Sequence, residues 1–370
     1  MAIYKLFFNK AGSIYSENPT MNTGKDEILE IGAYINNVGE RAVVRSVVEF
    51  SKKELESILN EYIQDLPYSA SLELKLAEAS EIPTEFTIEA YPIAQEWTNG
   101  TGKFNDVPTN TTGVSWENRL SDEQGKWLTT NFPNNVTGSY ETLEAGGGAW
   151  FTELNGIEVD FEKEFELDDS LDLSINVTKA VQSIVSGSID NNGFLIKLKD
   201  DVEFGETLNT RLWYFSNNTN SVFPPCLSIG WDDSTYSTGS LPPLETLDIE
   251  VQATSLKDVY FENEIERVRL RARPRFPERV FSTASLYLTN SPLPLESQWG
   301  LRNMVTEEMV VPFSSDFTKI SCDETGPFFD IFMQGLEPEN YYKILVKVPT
   351  ERTVKVFDKG NVFKVVRYGK

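Results

Sequence analysis

Six carboxylates alternate along one short stretch of the chain: Glu158, Asp160, Glu162, Glu164, Glu166 and Asp168 share one parity, and Val159, Phe161, Phe165 and Leu167 share the other. In an extended chain the six line one face at about 7 Å intervals, where repulsion in water is roughly 0.6 kcal/mol per adjacent pair. A divalent cation or a basic partner would relieve that repulsion, and a solvated sheet face would tolerate it. The opposite pattern occurs later, where Arg267, Arg269, Arg271, Arg273 and Arg275 alternate with Val268, Leu270, Ala272 and Pro274, and Arg279 follows. Guanidinium forks pair bidentately with carboxylates. The arginine stretch is therefore expected to dock on an acidic surface, either the chain's own acidic strand or a neighbouring subunit; a charged edge strand that resists sheet-to-sheet aggregation is the alternative.

Four tryptophans, Trp97, Trp116, Trp127 and Trp150, lie in or beside a segment rich in Thr, Asn and Gly. Exposed together they would form a platform for sugar faces; packed inward they are core. Five Asn-x-Ser/Thr sequons begin at Asn99, Asn110, Asn135, Asn176 and Asn217, and without a secretory signal they read as coincidence. Carboxylate pairs such as Asp232 with Asp233 or Asp168 with Asp169 are too common here to indicate acid–base catalysis. Gly146 to Gly148 lacks the lysine and the strand-to-helix context of a phosphate loop, and reads as a flexible turn. The turn beginning at Asp190 lacks the twelfth-position ligand of a calcium loop.

The composition removes whole classes of chemistry. The 370 residues contain no histidine, which excludes Ser-His-Asp and Cys-His nucleophilic catalysis, His-ligated zinc, and histidine as a near-neutral base or pH switch. The 33 basic against 57 acidic residues give a net charge of −24, which would repel a phosphate backbone. Cys226 and Cys322 are far apart and suggest buried free thiols rather than a disulfide framework or a thiolate metal site. No cofactor is indicated. The N-terminus lacks the apolar core and cleavage site of a signal peptide, and no stretch reaches the roughly 18 apolar residues of a membrane span. A soluble protein made in a cytosol is expected.

The elements that would position these residues are mostly strands. Period-two alternation recurs at Leu72, Leu74 and Leu76 and at Leu171, Leu173, Ile175 and Val177, and further strands are predicted at 194–199, 212–215, 227–231 and 247–251. Two helices interrupt them. Ser51 with Glu54 forms a capping box before Leu55, Ile58, Leu59, Tyr62, Ile63 and Leu66, and Pro67 stops the run. The second runs from Thr178 as N-cap to Gly187. Residues 99–148 read as long surface loops between short strands. The polar, proline-terminated stretch 234–246 reads as a linker between a domain at 1–233 and another at 247–370. The pattern predicts an all-β chain with two β-sandwich domains in tandem, the first carrying two short helices.

Leu336-Glu337-Pro338-Glu339-Asn340-Tyr341-Tyr342 precedes an alternating strand. Its Leu-x-Pro-x-x-x-Tyr spacing resembles the tyrosine corner of fibronectin type III and immunoglobulin-like sandwiches, with Tyr342 as the corner residue whose phenol bonds upstream backbone.

Four tracts carry a second resemblance: Ser13 to Leu29 (SIYSENPTMNTGKDEIL), Arg45 to Ser51 (RSVVEFS), Ile175-Asn176-Val177-Thr178, and Asn192-Gly193-Phe194-Leu195-Ile196-Lys197. Over most of residues 1–233 the chain resembles a DNRLRE-type jelly-roll module. The whole chain, including Phe363-Lys364-Val365-Val366-Arg367, resembles virion structural proteins of marine contractile-tailed bacteriophages of the T-even type. The resemblance implies a non-enzymatic particle component, built in the host cytoplasm and assembled in many copies with other virion proteins at the tail, baseplate or neck. Looser relatives of the module include carbohydrate-binding modules, which implies a host-glycan or receptor-binding role as the alternative. The matched positions read as scaffold: Asn22 and Gly24 shape a turn, and Phe50 packs the core.

Overall fold

Alternation of β-branched and aromatic residues with polar ones dominates the fold as it dominates the sequence. The computed structural model describes residues 2–121, 125–138, 146–205, 209–221, 223–244, 248–276, 289–350 and 353–367. Strand makes up 43% of the chain and helix 8%, so the protein is all-β, of the β-sandwich type. It forms two compact units, one of Leu6–Glu61 with Ser69–Ser228, the other of Met1–Lys5, Tyr62–Tyr68 and Ile229–Lys370.

In the larger unit the strands Glu162–Phe165, Phe86–Pro92, Phe194–Leu198 and Arg41–Phe50 pair in that order, all antiparallel. Arg41–Phe50 pairs on its other edge with residues 8–15 of the strand Ala2–Tyr15. Near its start it also pairs with Ile28–Ile35, which leads through Thr210–Phe215 to Leu76–Ser80. Nearly every residue of Arg41–Phe50 is buried, as a strand covered on both faces must be. Gly193 has φ of +77°, and a Cβ there would meet the Val48 carbonyl at 1.9 Å, so only glycine lets the 190–193 turn feed the Phe194 strand beside Val48.

The first helix begins where the capping box places it, with Ser51 Oγ accepting from Glu54 N at 3.3 Å. It is α-helical only over Lys52–Ile58 and widens to a π-type turn over Leu59–Ile63. Leu55, Ile58, Leu59 and Ile63 are buried, while Leu66 is exposed. The second helix is Thr178–Val185, preceded by Val177 rather than capped by Thr178. Asn176 Oδ1 instead accepts from the Thr178 backbone N–H at 3.0 Å. A short third helix, Asp200–Glu203, was not expected from the sequence.

The acidic run is not one strand. Ile157–Glu158 closes a hairpin with Glu153–Leu154, and Glu162–Phe165 pairs separately with Phe86–Pro92. Its parity survives the break: the six acids are exposed, and Val159, Phe161 and Phe165 are buried. Leu167 departs from it and is exposed.

The second unit is a two-sheet sandwich. One sheet orders Ile249–Ala253, Ile265–Pro274, Gly326–Phe332 and Ser321–Asp323. The other orders Val259–Phe261, Val362–Val366, Tyr341–Pro349, Gln298–Asn303 and Met309–Val311, with Val354–Phe357 also on Tyr341–Pro349. Trp299 of one sheet stacks on Phe329 of the other at 4.7 Å, the face-to-face packing that fills such a core. Tyr4, Tyr62 and Trp231 all set their rings edge-on to Phe332 in this unit, at 6.4, 5.0 and 5.4 Å.

The stretch expected to be a linker is tied down. Cys322 N donates to Thr235 O at 2.9 Å, Ser237 N to Cys322 O at 3.0 Å, and the Tyr236 phenol to Leu293 O at 2.7 Å. Unsatisfied backbone on the Ser321–Asp323 edge recruits this polar segment as a partner. Residues 245 and 246 lie outside the described residues.

Candidate functional site

The arginine stripe finds its carboxylates on other strands of its own sheet. Arg267 stands directly opposite Asp330 and binds it bidentately, both bonds at 2.8 Å. Arg273 stands opposite Glu250 and reaches it at 2.6 Å. Arg269 donates to Asp323 at 2.7 Å; that bond first, with those from Thr325, holds the Asp323 carboxyl well below the usual carboxylate range despite opposing desolvation. Arg267 and Arg269 also lie over the Phe328 ring at 4.5 and 5.0 Å. Arg275 lies over Phe276 at 5.5 Å. Among the described residues Arg271 makes no ion pair, and Arg279 lies outside them. Period-two spacing put these arginines on one face, but cross-strand register decided their partners.

The acidic face is partly matched within its own unit. Glu162 pairs with Lys199 at 2.9 Å and Asp160 with Lys179 at 3.7 Å. Glu158, Glu164 and Glu166 are exposed without an ion pair among the described residues.

The four tryptophans do not form an exposed platform. Trp97, Trp116, Trp127 and Trp150 are 0, 2, 2 and 5% exposed. Trp97 Nε1 donates to Asn192 O at 2.8 Å and Trp127 Nε1 to Ser115 O at 2.9 Å, because a buried indole N–H needs a partner. Of the seven tryptophans only Trp213 escapes full burial, and the Arg211 guanidinium lies over its ring at 4.8 Å. The loop segment carrying Trp97, Trp116 and Trp127 is pinned by Asn22, whose Nδ2 donates to Asn99 O and Val114 O at 2.9 and 2.8 Å. The Asn99 side chain bonds Ala11 N and Gly24 O, which commits the amide of that sequon.

Trp116 and Trp150 serve a different group. The Arg45 guanidinium lies over both, 5.0 and 5.2 Å from their ring centroids. Arg45 is almost wholly buried and binds Glu203, equally buried, through Nε at 2.7 Å and Nη2 at 2.8 Å. Its Nη1 donates to Gly147 O at 2.6 Å, so the glycine run expected to be a flexible turn is a backbone ligand. Lys197, also buried, reaches Asp200 at 2.6 Å, Glu89 at 3.1 Å and Glu203 at 3.8 Å. Glu89 is its direct cross-strand partner. Arg41, on the same face of the same strand, donates to the carbonyls of Val202 and Glu203 and satisfies the C-terminal end of the short helix that carries Glu203.

Arg45, Glu203, Lys197 and Glu89 were missed as a site in the sequence. Their signal is a lone cation inside an otherwise apolar strand, AVVRSVV and FLIKL, which a buried charge permits only with a buried counter-charge. Beside this network lies a cavity of about 170 Å³. Burial, then the neighbouring Glu89 carboxylate, pushes the Tyr91 phenol on its wall upward. No group of three or more Cys, Asp or Glu placed to hold a metal occurs among the described residues, and no helix among them is long and apolar enough to cross a membrane.

The geometry defines a β-sandwich protein with a buried ionic network. No family model and no curated protein matches the chain. Among solved structures, a DUF4785 family protein from Legionella pneumophila aligns over 92% of this chain and 62% of its own, at 9% identity and a TM-score of 0.17. A β-glucuronidase from Parabacteroides merdae aligns over 81% of this chain and 28% of its own, at 8% identity and the same TM-score. The chain thus spans about three fifths and about a quarter of these two structures.

Proposed function

We propose that the protein is a non-enzymatic structural component of a contractile-tailed bacteriophage particle, present in many copies and joined to other virion proteins at the tail, baseplate or neck. The observation that carries this reading is the acidic face at 158–168, whose carboxylates stand exposed around the edge strand Glu162–Phe165. One sign of charge along an edge discourages self-pairing and steers a basic partner to that edge. Arg267, Arg269 and Arg273 bind carboxylates on other strands of their sheet, and Trp97, Trp116, Trp127 and Trp150 are buried, which suits a rigid building block. The sequence resemblance to virion structural proteins supports the same reading. Mass spectrometry of washed, gradient-purified particles tests it: the chain is expected in fixed stoichiometry, and its absence refutes the proposal. Particles made with E162K/E164K/E166K are expected to lose the protein, while the purified variant melts as the parent does. Normal incorporation would remove the acidic face from the interface.

A further inference from the structure

One face of the smaller unit departs from the charge of the whole chain. Among the described residues, the sheet built from Val259–Phe261, Gln298–Asn303, Met309–Val311, Tyr341–Pro349, Val354–Phe357 and Val362–Val366 has no Asp or Glu on any strand, in a chain with 57 acidic residues. The arginine-bearing sheet of the same sandwich carries Glu250, Glu266, Asp323 and Asp330. Strand alternation sends Tyr260, Tyr342, Ile344, Phe363 and Val365 into the core, so the residues between them turn outward. Register sets Tyr341 and Val259 beside Lys364, and Val356 beside Lys347. Val259, Phe261, Tyr341, Val354 and Val356 are 48, 44, 50, 57 and 52% exposed. Apolar side chains gathered on one face among charges of one sign mark a contact surface rather than a solvated one. The carboxylates that reach its lysines come from outside the strands, Asp358 to Lys343 at 3.0 Å and Glu339 to Lys364 at 2.7 Å.

Such a face fits a partner that is acidic and offers an apolar recess. The acidic edge of the larger unit has both properties. Glu158, Glu164 and Glu166 stand exposed there without an ion pair among the described residues, and Ile157 and Leu167 are 56 and 77% exposed. Leu154, Ile157, Glu158 and Phe161 line a groove of about 280 Å³ against the helix Thr178–Val185. That is close to the roughly 300 Å³ of a small-ligand pocket and gives room for one aromatic side chain. Tyr341, half-exposed between Lys343 and Lys364, has the ring and the flanking charge to enter it beside Glu158. The net charge of −24 opposes self-contact at long range, but charges farther than about 8 Å from the contact are screened at physiological salt. The local match then decides.

We propose that the outer face of this carboxylate-free sheet docks on the acidic edge of a second copy of the chain, with Tyr341 entering the groove beside Ile157. The two surfaces differ, so the contact is head-to-tail. It rests on the assembly role proposed above for the acidic edge and names the partner there as another copy. Sedimentation velocity on the purified full chain in about 0.15 M salt tests it. The mean mass is expected to rise above the 41.8 kDa of one chain as the concentration is raised to about 100 μM. Y341E/V356E on the sheet face and E164K/E166K on the edge change exposed positions; each is expected to keep the parent melting temperature and to weaken association at least tenfold. Should one of them melt lower, the other decides. An equimolar mixture of the two folded variants is expected to form dimers and stop there, because only one intact face and one intact edge can meet. Monomers at every concentration, undiminished association of a folded variant, or a mixture without dimers overturns the proposal. The assembly role fails separately: absence from washed particles refutes that role and leaves a measured self-contact standing, whereas a chain that is incorporated yet monomeric in solution meets a different virion protein at its acidic edge.

Discussion

The Tyr342 phenol donates to the backbone carbonyl of Glu337 at 2.6 Å, closing the corner that leads into the strand Tyr341–Pro349. The side chain of the same Glu337 is half-buried there, and desolvation, only partly offset by Arg367, pushes its carboxyl up to about 7. The two ends of one glutamate therefore do opposite things: its carbonyl is satisfied, while its carboxylate is poorly solvated.

That second property makes stability depend on pH. A folded pKa near 7 against an ordinary 4.5 means the native state binds the proton more tightly, so this group's stabilising contribution is full below about 4.5 and is lost as pH rises through 7. E337Q removes the charge. Thermal denaturation should show E337Q more stable than the parent at pH 8, by about 1 kcal/mol after allowance for solvent screening, and little different at pH 5. Equal differences at both pH values would contradict the assignment.

Removing the corner bond itself has a separate signature. Y342F keeps the ring, which packs near Phe363 at 5.9 Å, but strands the Glu337 carbonyl. A loss of about 1–1.5 kcal/mol in urea titration is expected, at pH 5 and pH 8 alike.

The Arg45–Glu203 pair makes a sharper prediction. E203A leaves a guanidinium buried without its carboxylate and should cost about 3–5 kcal/mol, whereas R45M/E203L, which removes both charges, should cost much less. Trp116 and Trp150 flank the guanidinium, so tryptophan fluorescence during denaturation reports both variants. A single variant no worse than the double would show that the charges are not mutually dependent.

By contrast, R267A on the solvent side of its sheet should cost under about 1 kcal/mol, because an exposed pair gains little over hydration. Its loss should shrink in high salt. Chemical denaturation at low and high salt measures it.

Phe332 gathers the rings of Tyr4, Tyr62 and Trp231. F332A should destabilise by about 3–5 kcal/mol, and a fragment of residues 234–370, which lacks all three partners, should fail to give a cooperative melting transition.

Much of the fold was legible because burial imposes a period of two on strands: Leu72, Leu74, Ile175 and Ile344 all face inward as their spacing requires. The Ser51 cap and the all-β class were readable for the same local reason. What was not legible depended on partners distant in sequence. Arg273 and Glu250 are adjacent only through strand register, and Trp97, Trp116 and Trp127 are buried on a loop segment that Asn22, distant in sequence, pins in place. The ionic network needed Glu203, on a helix too short to announce itself by periodicity. Its cations were nonetheless visible as Arg45 and Lys197 within apolar runs, a signal that asked for a counter-charge without naming it.

The make-up of the smaller unit bears on how the polypeptide emerges from the ribosome. Translation delivers Tyr4 and Tyr62 long before Trp231 and Phe332, so two early segments must wait, apolar rings uncovered, for the last portion of the message to be read. The larger unit has all its strands sooner and can close first. Vectorial synthesis thus leaves this protein with a waiting period in which a chaperone, or a slow stretch of codons, would decide the yield of native chains.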